Sequence, residues 1–220
     1  MARLFPARRL RRLARRLHRD ERGVSILELA LVLPVMLTLG LYGTELAYMT
    51  TVDMQVSMIA TSVADNASRL GQTDNSSVTP TVTEAQVDSV MKGALAEGAP
   101  FVFKENGRII LSSLEKTGNG KQYIHWQRCA GDLKHGSAYG GEGAGKTGAT
   151  LDGMGKTGHK IYAATNSAVM YVEVYYDYQP LFGTAFVSNP TFHHEAAYLI
   201  RDDRNLEPGV TGGNNTNACS

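Results

Sequence analysis

Residues 22–43 read RGVSILELALVLPVMLTLGLYG. After Gly23 come twenty residues, Val24 to Gly43, in which Glu28 is the only group charged at neutral pH. At ~1.5 Å per residue, a helix of that length crosses the ~30 Å hydrocarbon core of a bilayer, so a membrane segment is expected. A carboxylate inside such a segment costs roughly 2.5–3.5 kcal/mol on insertion scales and calls for a partner. Glu28 lies five residues past Gly23. A peptidase cutting after Gly23 would free an α-amine at Val24, about one and a half helical turns from that carboxylate.

The formal net charge of +1 hides an asymmetry. Residues 1–23 form a basic leader with nine Arg and no Lys against Asp20 and Glu21, a net of +7. The thirteen basic and nineteen acidic residues that follow leave −6 for the rest of the chain. By the positive-inside rule the leader stays cytoplasmic and everything past Gly43 is exported. Leu4, Leu10, Leu13 and Leu17 recur at helical spacing among the arginines, a stripe suited to a membrane surface, where basic residues meet anionic headgroups at ~1 kcal/mol per charge. Abutting an apolar helix, the arginine run reads as a topology signal rather than as a nucleic-acid-binding patch. The apolar run is also longer than the core of a cleavable secretory signal, and no small-x-small cut site closes it.

Beyond Gly43 the helical period continues through Val52, Val56, Ile59, Val63 and Leu70, and no proline falls between Pro34 and Pro80. One helix is expected over residues 24–70, on the order of 70 Å long, half in lipid and half amphipathic in water. Pro34 is expected to kink or soften the lipid half, and Glu45 and Asp53 to be solvated. Gly71–Pro80 reads as a turn-rich linker into an exported domain over 71–206, with a Gly/Asn tail over 207–220. The N-x-S/T triplets at Asn66, Asn75 and Asn214 are read as chance matches.

Thr83-Glu84-Ala85-Gln86 is a capping box, followed by Val87, Val90, Met91, Ala94 and Leu95 at helical spacing, so a short amphipathic helix should end near Gly98 and Pro100. Phe101–Phe103 and Ile109–Leu111 flank Asn106-Gly107, a hairpin signal, and Gly118-Asn119-Gly120 turns into Lys121–Arg128. Together they predict a three-stranded meander. A glycine-rich loop over 130–158, with ten glycines between Gly131 and Gly158, is expected to be mobile. Gly140–Thr147 matches the phosphate-binding pattern GxxxxGK[ST] letter by letter, but the sequence offers neither a buried strand before it nor a helix after it, so no nucleotide is expected. Ser113-Leu114-Glu115-Lys116 and the repeated Lys-Thr-Gly triplets overlap instead of lying far apart, which argues against a penicillin-recognising site.

The late stretch Ser167–Phe182, SAVMYVEVYYDYQPLF, alternates at period two. Met170, Val172, Val174, Tyr176 and Tyr178 form one face; Val169, Tyr171, Glu173, Tyr175 and Asp177 form the other, expected to be wet. Thr191–Arg201 reads as a last strand. His193, His194 and Glu195 within it are not expected to bind metal, because adjacent strand residues point to opposite faces. Cys129 and Cys219 in an exported domain favour a disulfide closing a 90-residue loop, with free thiols or an intermolecular bridge as the alternatives. Nothing after Gly43 assembles a nucleophile with its base or a metal cluster, so no catalytic residue, cofactor or metal is expected.

The leader ending in Arg22-Gly23, Glu28, and Leu29-Ala30-Leu31-Val32-Leu33-Pro34 together resemble the class III signal of type IV prepilins. They resemble more closely the TadE-like proteins of the tight-adherence (Tad) pilus system, whose late strand also takes a form like VEVYYDYQPLF. Leu29 departs from the Phe or Tyr often found there. The resemblance implies cleavage between Gly23 and Val24, with Glu28 neutralising a terminal amine of its own or a neighbouring subunit. It implies an α+β, pilin-like protein: a long N-terminal helix bearing a small antiparallel sheet. As a minor pseudopilin of an inner-membrane Tad/Flp assembly, it would meet the prepilin peptidase, other Tad pseudopilins, the Flp pilin, the assembly platform and membrane lipid, with no nucleic acid or nucleotide. The alternative from another class is a periplasmic binding protein on an uncleaved anchor, with the glycine-rich loop as a ligand flap.

Overall fold

The computed structural model describes residues 23–71, 79–201, 203–213 and 217–219. The leader before Gly23 with its leucine stripe, residues 72–78 of the linker, and the triplets at Asn75 and Asn214 lie outside them. The chain divides into two units, Met1–Ala47 and Tyr48–Ser220. Helix α1 (Val24–Ser68) contributes to both.

In the first unit, residues 23–44 leave their side chains exposed, and apolar residues occupy every side of the helix instead of one stripe. That is the pattern of a helix solvated by lipid. The helix is long and apolar enough to cross a membrane. Pro34 sits inside it without ending it. The Thr38 and Thr44 hydroxyls donate to the carbonyls of Pro34 (2.8 Å) and Gly40 (2.9 Å), so neither hydroxyl is left without an acceptor. Glu45, expected to be solvated, is fully buried.

The second unit begins with the amphipathic half of α1. Val52, Val56, Ile59 and Val63 are buried, as the spacing predicted, and Leu70, past the end of the helix, is half-buried; Ala67 is buried as well, while Met54 and Met58 on the other side are exposed. β1 (Val82–Thr83) leads into α2 (Glu84–Glu97), where Thr83 and Gln86 form the expected reciprocal capping box and Gly98 is the C-cap. β2 (Gly107–Lys116), β3 (Gln122–Ala130), β4 (Ala168–Asp177) and β5 (Thr191–Leu199) form an antiparallel sheet in the order β3-β2-β4-β5. The fold is therefore α+β, as expected. A short β6 (Val210–Thr211) pairs in parallel with β1, so the tail returns to the domain.

Three local expectations are corrected. Asn106-Gly107 is not a hairpin turn. Ala99–Phe101 is a 3₁₀ turn, and α3 (Phe103–Asn106) is a single helical turn that delivers the chain into β2 at Gly107. Aromatic packing overrides the turn signal: Phe103 stacks on Tyr176 at 5.8 Å, Phe101 meets Tyr176 edge-on, and the Tyr176 hydroxyl donates to the Phe101 carbonyl at 2.7 Å. The meander is likewise only half present. β2 and β3 pair around the Gly118–Gly120 turn, but the other neighbour of β2 is the late strand β4.

The third correction concerns the second face of β4, which is not wet. Met170, Val172, Val174, Tyr176 and Tyr178 enter the main core with α1 and α2. On the reverse face Val169, Tyr171, Glu173 and Tyr175 are buried as well. The glycine-rich loop covers that face, with Met154 and Ala163 packing alongside Leu114, Ile124, Val169 and Tyr171.

Candidate functional site

Two places combine unusual chemistry with a defined environment. The first is the start of α1. Gly23 immediately precedes the helix, and Glu28 lies in its second turn among exposed Ile26, Leu27, Leu29 and Leu31. Such an apolar surface is unfavourable in water, and the single carboxylate is unfavourable in lipid unless its charge is met.

The second is the covered face of the sheet. Glu173 on β4 and Glu195 on β5 are direct cross-strand partners. Like charges so placed destabilise a sheet, and Glu173 is fully buried. The glycine-rich loop supplies compensating donors. The Ser137 hydroxyl and the Ala138 amide donate to Glu173 at 2.5 and 2.8 Å, the Tyr175 hydroxyl donates to it at 3.0 Å, and the Tyr139 hydroxyl donates to Glu195 at 2.6 Å. Burial first, and the neighbouring carboxylates second, raise the Tyr175 and Tyr139 phenols above their ordinary range, which keeps both as donors. His135 and His193 sandwich the Tyr175 ring at 3.6 and 4.2 Å. Burial pushes the His193 imidazole below its ordinary value, against the pull of Glu195 and Glu173.

Glu173, His193 and Glu195 present ligand-type atoms within 4.8 Å of one another. The sequence grouped His193 with His194 and Glu195. The pleat separates that set as expected: His194 faces the other way, 2.7 Å from Asp53 on α1. It also brings in Glu173, which lies twenty or more residues away in sequence. The signal for Glu173 was present as the one carboxylate in the middle of the apolar alternation of β4. The oxygens of this group already accept loop hydrogen bonds, and the nearest depression, lined by Lys156, His159, Tyr171 and Glu195, holds only about 260 Å³. That is small for a ligand pocket. As arranged, the cluster fastens the loop to the sheet.

Gly140–Thr147 runs in turns along the outer edge of β3, between no strand and no helix. Amides that a phosphate would need are turned to the chain's own carbonyls: Gly143 donates to Ile124, Ala144 to Gly141 and Lys146 to Gly143. Gly145 has φ +86, and a Cβ there would lie 2.4 Å from the Gln122 carbonyl, so close packing explains the glycine without a ligand. The Lys146 ammonium rests over the Tyr123 ring.

Cys129, at the end of β3, is joined to Cys219 by a disulfide with Cα atoms 5.0 Å apart. The Asn217 carbonyl accepts from the Cys129 amide beside it. Comparison of the chain with protein-family models, with curated proteins and with solved structures finds no match.

Proposed function

We propose that this chain is a minor pseudopilin-like component of a tight-adherence type IV pilus assembly system, anchored in the bacterial inner membrane with its sheet domain in the periplasm. The resemblance rests on the residues quoted above. The observation that carries the proposal is the placement of Glu28, one carboxylate in an uncovered apolar helix that begins directly after Gly23. A processed Val24 amine, from this subunit or a neighbour, supplies the positive charge that this carboxylate lacks among lipid tails. A disulfide in the domain beyond the helix suits an oxidising compartment. On this account the protein is a substrate of the prepilin peptidase, not a catalyst. It works by packing its helix against other pilin helices, the Flp pilin and the assembly platform.

The test is Glu28→Ala in cells that make the pilus. Membrane insertion should be unchanged or improved while piliation is lost. Normal piliation in that mutant overturns the amine-pairing role.

A further inference from the structure

Glu173 and Glu195 face each other across β4 and β5. The Tyr178 amide bonds the Pro190 carbonyl and the Ile200 amide bonds the Ala168 carbonyl, so the hydrogen-bonded pairs of this ladder fall at even β5 positions. The two glutamates are therefore a non-bonded pair, in which facing Cα atoms stand ~4.5 Å apart and side chains are closest. Glu173 is fully buried, and among the described residues neither carboxylate forms an ion pair with a lysine or arginine. Their one such contact runs from His193 Nε2 to Glu195 Oε1 at 3.7 Å. Buried charges in proteins are paired or bind a metal.

Hydrogen bonds from neutral donors do not use up these carboxylates. A carboxylate offers about four acceptor sites. Glu173 fills three of them, from Ser137, Ala138 and Tyr175, and Glu195 fills one, from Tyr139 to Oε1. Such donors act as the outer shell of a metal site does, fixing each carboxylate while lone pairs stay available. The His193 ring is held by stacking on Tyr175 at 4.2 Å, with Nε2 turned toward Glu195. Ligand atoms of Glu173, His193 and Glu195 lie within 4.8 Å of one another. Ligands ~2.1 Å from a tetrahedral ion stand ~3.4 Å apart, so side-chain shifts of about an ångström close the group. The depression that Glu195 shares with Lys156 and His159 gives an ion and its water a way in.

We infer that Glu173, His193 and Glu195 form a divalent-metal site of the Zn²⁺ class, with water completing the shell from the side of the depression. One imidazole with two carboxylates and no thiolate suits Zn²⁺ or Mn²⁺ and not the all-oxygen shells of Ca²⁺ and Mg²⁺. An ion bound there replaces like-charge repulsion between β4 and β5 with a shared cation, and it locks residues 137–139 of the glycine-rich loop onto the sheet. The pleat that separates His194 from the set is also what assembles it: His193 and Glu195, two positions apart, share a face, and Glu173 joins them from the next strand. The site lies wholly within the second unit and owes nothing to the membrane reading.

The test uses the full chain, untagged and stripped of metal, in detergent micelles. Calorimetric titration with Zn²⁺ should show one ion per chain, and the ion should raise the melting temperature and slow proteolysis between residues 140 and 158. His193→Phe keeps a ring stacked on Tyr175, and Glu195→Gln keeps an acceptor for Tyr139. Each should weaken binding at least ~10-fold and abolish the melting shift, while His125→Gln, outside the group, leaves both unchanged. X-ray absorption at the zinc edge of the unmodified chain should show one imidazole among oxygen donors, a reading that depends on no variant's folding. Zn²⁺ that stays bound in both ligand variants, or a shell with two or more imidazoles, is an adventitious surface ion and overturns the site. A chain that binds neither Zn²⁺ nor Mn²⁺ overturns it as well.

Discussion

The Arg128 guanidinium grips the Glu84 carboxylate through two nitrogens, Nη2 at 2.6 Å and Nε at 3.1 Å, with the two side chains 7% and 9% exposed. The pair joins the first turn of α2, where a carboxylate also complements the helix dipole, to the edge strand β3. Glu142 from the glycine-rich loop completes the group at 2.9 Å. Burial disfavours the Arg128 cation, but hydrogen bonds and charge from Glu84 and Glu142 outweigh it and hold the guanidinium above its ordinary range.

Removing one partner of this pair should strand a buried charge. Arg128→Met is expected to cost about 3–5 kcal/mol in urea unfolding, and Glu84→Leu combined with Arg128→Met to recover most of that loss. A double mutant no more stable than the single one would show that the pair's value is not electrostatic.

The disulfide spans a sequence separation of 90 residues. In the chain-entropy model a loop of that size is worth ~4–5 kcal/mol, so Cys129→Ser with Cys219→Ser should lower the urea midpoint strongly. Non-reducing gels should show a compact monomer that slows on reduction. A reducible dimer would instead mean that the bridge is intermolecular.

The loop is fastened from Tyr139 to Glu195. Tyr139→Phe removes a 2.6 Å hydrogen bond to a carboxylate and is expected to cost about 1–3 kcal/mol. It should also speed proteolytic nicking between residues 140 and 158. Unchanged cleavage there would show that other contacts hold the loop.

His193 links stability to pH. Its folded value is pushed below the ordinary ~6.5, so the unfolded chain binds the proton more readily. The stabilisation is complete above pH ~6.5 and is lost as pH falls towards the folded value. The melting temperature should therefore drop on acidification below ~6.5, and His193→Phe, which keeps a ring stacked on Tyr175, should flatten that part of the profile. An unchanged slope would assign it to other groups.

The elements written in local patterns were legible in the sequence. They are the unbroken apolar run of α1, the capping box of α2, the Gly118–Gly120 turn and the period-two strands. What escaped was tertiary. The Asn106-Gly107 signal lost to Phe101 and Phe103 packing on Tyr176, an interaction across some seventy-five residues that no window of sequence contains. The buried reverse face of β4 was missed because glycine-rich composition carries no hydrophobic period, although Met154, Leu151 and Tyr139 were there to pack. At the candidate sites, Gly23 and Glu28 were visible from spacing alone. Glu84 and Arg128, and Glu173 and Glu195, became partners only through strand register and loop return.

The central claim is that proteolysis creates the charge that Glu28 meets. N-terminal sequencing and intact mass of the protein recovered from membranes of its own cells test it most directly. The account predicts a chain beginning at Val24 with residues 1–23 removed; assembled protein that still carries its arginine-rich leader would contradict it.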